Sequence, residues 1–175
     1  VVGGGIMGAS IAFHLAEGEA AAIAGVSVND VDANLTSVQL SVVNGTVNVS
    51  LAGGAAISAG ANASGSLTLT GTQAQINAAL ASMAYQSALN FNGSDTLTIV
   101  STDSGGLNDT DAIAITVGAV NDTPTTGGIA NVSVDEDAAP SVIDLFAAFA
   151  DIEDADPVLT FALVGNTNPG LFAGP

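Results

Sequence analysis

The chain has 175 residues with 17 Asp+Glu, one His and no Lys, Arg or Cys, a formal net charge of −17. Without Lys or Arg it cannot neutralise phosphates, which excludes nucleic-acid binding, and an anionic membrane surface would repel it. Hydrophobic residues make up 48%, charged residues only 10%, and mean hydropathy is +0.54, so acidic disorder is excluded too.

Residues 1–16, VVGGGIMGASIAFHLA, are apolar and Gly-rich. Gly3-x-Gly5-x-x-Gly8 follows two valines and precedes SIAFHLA. That spacing lets a pyrophosphate approach a helix N-terminus. The chain then enters EGEAAAIAGVSVNDVD, without the second strand that a dinucleotide fold requires. His14 is the one side chain expected to titrate near neutrality. No Ser-His-Asp order or zinc-type spacing accompanies it, so no enzyme activity is expected.

Residues 17–122 read as short strands. Val38, Leu40 and Val42 alternate with Ser37, Gln39 and Ser41, and Val47, Val49 and Leu51 repeat the pattern. Asn44-Gly45 between them predicts a type I′ hairpin. SLTLT (66–70), TLTIV (96–100) and AIAITV (112–117) are further strands. One helix is predicted: Thr72 and Gln75 form a capping box, and Ile76, Leu80 and Met83 share a face. The expected core comprises Val38, Leu40, Val42, Val47, Val49, Leu51, Leu67, Leu69, Ile76, Leu80, Leu97, Ile99, Ile113, Ile115 and Val117. Many strands and one brief helix predict an all-β antiparallel sandwich.

Residues 123–175 open on TPTTGG and restart the pattern, with strands expected in Asn131–Val134 and in LTFALV (159–164). The second copy breaks off before its pattern is complete. The chain therefore reads as one complete sandwich and one partial, cut from something longer, behind an orphan fragment at 1–16. No stretch reaches the roughly 18 to 20 apolar residues of a membrane span.

The acids cluster as NDVD (29–32), TDSGG (102–106), NDTD (108–111), ND (121–122), DED (135–137) and DIEDAD (151–156), with Asp95 and Asp144 isolated. Loops of a sandwich gather at its two ends, where carboxylates without basic partners repel unless a cation sits among them. Calcium, which takes six to eight oxygen ligands, is the expected cofactor. Asp and Asn also cap turns, which is the plainer use of each acid alone.

DVDANLTSVQLSVVNGTVNVSL, GTQAQINAALASMAYQ, NFNGSDTLTIVSTDSGG, DTDAIAITVGAVNDTP and VDEDAAPSVIDLFAAFADIEDAD resemble the cadherin-like (VCBS-type) repeats of large bacterial surface adhesins. The resemblance covers about residues 17–175. It implies immunoglobulin-like sandwiches in tandem, export to the cell surface, a spacer role in adhesion, and neighbouring repeats as partners. It also implies calcium at repeat junctions. Asn121, Asp122 and Pro124 resemble the linker core, although Ala119 stands near where its first Asp belongs. Asp103 resembles the late-strand acid, Glu19 and Glu136 the acid near a repeat start, and Asp30 with Asp32 a paired-Asp loop. Asp151, Glu153 and Asp154 would join the junction from the second repeat. Residues 1–16 resemble the start of an FAD-dependent oxidoreductase, the alternative function, fused to such repeats.

Overall fold

The computed structural model describes residues 11–13, 20–155, 158–165 and 167. The chain divides after Val120 into two compact units. The first holds strands β1 (Ile11–Phe13), β2 (Ala20–Ala22), β3 (Leu35–Ser41), β4 (Gly45–Asn48), β5 (Ala56–Gly60) and β6 (Ser66–Thr70). Helix α1 (Gln73–Leu80) and strands β7 (Ala84–Ser87), β8 (Gly93–Asp103) and β9 (Asn108–Val117) complete it.

A six-stranded sheet runs β1-β9-β8-β3-β6-β5, and a three-stranded sheet runs β2-β7-β4. All pairings within them are antiparallel except β1 with β9, which is parallel. The fold class is thus the all-β sandwich that the alternation predicts. Its core follows from that alternation: each strand turns every second side chain inward. Leu40 sits opposite Leu67 on one side and Ile99 on the other, and Leu97 opposite Ile113. These five are at most 1% exposed. Val47 and Tyr85 from the smaller sheet and Ile76, Leu80 and Met83 from the helix and its exit belong to the same cluster.

The capping box forms as expected: Thr72 Oγ1 accepts from Gln75 N at 3.3 Å, and Gln75 Oε1 accepts from Thr72 N at 2.8 Å. Of the expected core residues only Leu51 lies outside it, 37% exposed. Ile23, Val26, Val28 and Tyr85 are buried without having been expected.

Asn44-Gly45 does not close a hairpin. β3 pairs with β6 and β8, whereas β4 pairs with β7 in the other sheet, so the turn is a crossover between sheets. Neither Asn44 nor Gly45 has positive φ, which a type I′ turn requires at both central positions. Glycine is needed there for space instead. A Cβ on Gly45 would run into the Gln86 carbonyl and the Tyr85 ring.

Within SIAFHLA, which a dinucleotide-binding glycine pattern would continue as a helix, Ile11–Phe13 form strand β1, registered Ile11 to Ile115 and Phe13 to Val117. The glycines and His14 lie outside the described residues.

The second unit contains a two-stranded ribbon, β10 (Thr125–Thr126) with β11 (Phe149–Ala150), registered Thr125 to Ala150. Phe161 packs on Phe146 at 5.2 Å and on Phe149 at 5.4 Å between ring centroids. The strands expected in Asn131–Val134 and 159–164 are irregular, and Val132, Val134, Leu163 and Val164 are exposed. Period-two alternation marks a face that could be buried, but a strand exists only where another strand takes its N–H and C=O groups. Among the described residues of this unit no such partner stands beside them.

Candidate functional site

Three carboxylates are buried among the described residues, and each is only 5% exposed: Asp30, Asp95 and Asp103. Two share a strand. The inward face of β8 reads Asp95, Leu97, Ile99, Ser101, Asp103, so the alternation that buries the leucine and isoleucine also buries an acid at each end. Eight residues of extended chain put these acids about 27 Å apart, near opposite poles of the sandwich.

At one pole Asp95 gathers the turn between β3 and β4. Its Oδ1 accepts from Val43 N at 3.2 Å and Thr96 N at 2.8 Å, and its Oδ2 from Asn44 N at 2.8 Å. The Tyr85 hydroxyl donates to Oδ2 at 3.0 Å and lies 3.1 Å from the Asn44 carbonyl. Burial acts to raise the Asp95 carboxyl, but the N–H groups of Asn44, Thr96 and Val43 and the Tyr85 hydroxyl outweigh it and hold the carboxyl below its usual value. Burial, with the Asp95 carboxylate second, pushes the Tyr85 hydroxyl well above its ordinary value. With no Lys or Arg in the chain, hydrogen-bond donors take the place of a counter-ion.

At the other pole Asp103 Oδ1 accepts from Gly105 N at 2.8 Å and Leu107 N at 2.9 Å, closing the β8–β9 turn. Asp30 does the same for its own loop, taking Asp32 N at 3.1 Å on Oδ1 and Asn34 N at 2.9 Å on Oδ2. The two loops meet where Ser104 N donates to Asn34 O at 3.0 Å. Helix α1 fixes the Asp30 loop from the side. Asp30 N donates to Gln73 Oε1 at 2.9 Å, and the Asn77 amide brackets Val28 through its N and O at 2.8 and 2.9 Å. Asn34 Oδ1 is buried here without a hydrogen-bond partner.

The structure thus brings the loops of Asp30 and Asp103 together, with Asp32 exposed beside them. In the second unit it joins Asp122 to Glu153, whose Oε2 accepts from Asp122 N at 3.0 Å. Asp151 Oδ1 accepts from Glu153 N and Asp154 N, both at 3.0 Å, as a turn cap. Asn121 Nδ2 donates to the Asp122 carbonyl at 3.0 Å. Glu136 is exposed in an irregular segment, and Glu19 lies outside the described residues. Among the described residues no three acidic or His side chains stand close enough to hold a metal ion.

Asp95 and Tyr85 are the residues that acid clustering passes over, because neither belongs to a cluster. The signal was present nonetheless. Stepping back by two from Leu97 and Ile99 reaches Asp95, and stepping forward reaches Asp103.

Residues 20–112, from β2 into β9, match the family model described as GEX2, the Protein GAMETE EXPRESSED 2 domain. The chain belongs to that family. No curated protein and no solved structure matches it. The GEX2 match corrects the resemblance drawn from the sequence: the chain is assigned neither to the cadherin-like repeats of bacterial adhesins nor to the FAD-dependent oxidoreductases. A spacer repeat of a bacterial adhesin falls with it, and so does the fused oxidoreductase. The physical reason is visible in both. Alternating strands, Asn-Gly turns and Asp-capped loops are what any turn-rich sandwich needs, so they do not separate one sandwich family from another. The glycine pattern leads into an edge strand rather than a phosphate-binding helix.

Proposed function

We propose that the protein is a non-enzymatic structural domain of a gamete-expressed, extracellular protein. One observation carries the reading: the three buried carboxylates are committed to backbone N–H groups of the chain's own turns. Groups so used are not poised for proton transfer, since a general base needs a vacant acceptor facing its substrate. The acidic surface disfavours nucleic acid and anionic membrane as partners. The gamete setting comes from the family's description alone.

The test is immunolocalisation in the source organism, on intact and on permeabilised cells. Signal on intact gametes, absent from somatic cells, is the expected result. Equal signal in all tissues, or signal only after permeabilisation, overturns it.

A further inference from the structure

Eight of the chain's thirteen asparagines are followed two positions later by Ser or Thr, with no proline between: Asn34, Asn44, Asn48, Asn62, Asn92, Asn108, Asn121 and Asn131. Thirty Ser and Thr in 175 residues would do this by chance for about two of thirteen. Asn-x-Ser/Thr is the acceptor pattern for N-linked glycan, which is bulky and solvated and therefore confined to the surface.

The structure sorts the eight. Asn34 turns its Oδ1 inward, buried. Asn62 spends its whole amide on Val49, accepting from N at 3.0 Å and donating to O at 2.9 Å. Asn44 is half-buried in the crossover turn, its backbone N held by Asp95. Asn121 donates to the Asp122 carbonyl, and Pro124 restricts the backbone of its acceptor partner Thr123 to extended conformations. The other four, Asn48, Asn92, Asn108 and Asn131, are exposed, and so are their partners Ser50, Ser94, Thr110 and Ser133.

We propose that Asn48, Asn92, Asn108 and Asn131 are N-glycan acceptor sites. The donor class is a polyprenyl-pyrophosphate-linked oligosaccharide. The Asn Nδ2 forms a bond to sugar C1, the C1–O bond to the pyrophosphate breaks, and the amide proton passes to a base of the transferase. The lipid pyrophosphate leaves, and no redox change occurs.

The inference rests on the extracellular reading above, and its test supplies the export route independently. The whole chain, behind an appended signal sequence, is translated with endoplasmic-reticulum microsomes and then treated with peptide N-glycosidase. The expected result is a ladder of up to four added glycans that collapses on treatment, with aspartate replacing Asn48, Asn92, Asn108 and Asn131 in the peptide spectra. Ser94→Ala removes the Asn92 glycan alone, and Asn→Gln at all four positions removes the ladder. A microsome-protected chain of a single, enzyme-insensitive mass overturns the proposal, as does glycan mapped to Asn34 or Asn62. Immunolocalisation that fails while the ladder forms would sink the extracellular reading and leave the acceptor chemistry standing.

Discussion

The Tyr85 hydroxyl donates to Asp95 Oδ2 at 3.0 Å, joining β7 of the three-stranded sheet to β8 of the six-stranded one. The same carboxylate holds Val43 N and Asn44 N of the chain crossing between those sheets. One side chain therefore fixes both sheets and the crossover that joins them. Asp95→Asn removes the charge and half of its acceptor capacity, leaving buried donors short of partners. A loss of about 3 kcal/mol is expected, since hydrogen bonds to a charged group each contribute about 1.5–3 kcal/mol. Tyr85→Phe leaves the carboxylate its three N–H donors and should cost about 1–2 kcal/mol. Urea unfolding of the two variants and of the double variant measures the coupling. Equal, additive losses below 0.5 kcal/mol would show that the pair is incidental.

The same pair sets the response to pH at both extremes. The Asp95 carboxyl lies below its ordinary value in the folded chain, so the unfolded chain takes up its proton first as pH falls. Its contribution is complete above about pH 4 and is lost as pH drops through the lower, folded value. Tyr85 is shifted up, so the unfolded chain ionises first as pH rises, and stability falls above about pH 10. Urea midpoints from pH 3 to 11 should show both limbs. Tyr85→Phe should remove much of the alkaline fall, and a variant keeping that fall unchanged would assign it elsewhere.

How much of this was legible in sequence differs from one element to the next. β6, expected at 66–70, is Ser66–Thr70, and the Thr72 capping box starts the helix as read, because both signals are local. The Asn44-Gly45 hairpin failed because turn residues report that the chain turns, not which sheet it enters next. That choice is made by Asp95 and Tyr85, 51 and 41 positions from Asn44. Of the expected site residues, Asp30 and Asp103 stand on loops that meet, through a backbone contact between Ser104 and Asn34 that clustering cannot foresee. The segments 131–134 and 159–164 carry the right alternation, but among the described residues they have no strand neighbour to pair with.

Leu40 and Leu51 separate a buried position from one that merely alternates. Leu40 is fully buried between Leu67 and Ile99, whereas Leu51 is 37% exposed beyond the end of β4. Leu40→Ala should cost about 2–5 kcal/mol, because the removed methyl groups leave a cavity the strands cannot close. Leu51→Ala should stay within about 1 kcal/mol. Chemical unfolding midpoints decide, and comparable losses would mean that the strand after Gly45 packs inward further than Val49.

Calcium, expected from the acid clusters, is open to a direct titration. An extracellular site with a dissociation constant of about 10⁻⁴ to 10⁻³ M, at ten times that concentration, adds about 1.4 kcal/mol. For a chain of this size that raises the melting temperature by about 4 °C per site. Asp30, Asp103 and Asp151 already spend carboxylate oxygens on N–H groups, and ligating an ion would compete with those turns. The expected outcome is therefore a shift below about 1 °C between chelator and 10 mM calcium. Asp122→Ala should lie close to the parent chain in both buffers, and Asp95→Asn far below it in both, reversing the order that clustering alone suggests. A calcium shift of 4 °C or more, with calorimetric heat abolished by Asp122→Ala, would place an ion in the turn that Asp122 shares with Glu153. The acids there would then be ligands first and turn caps second.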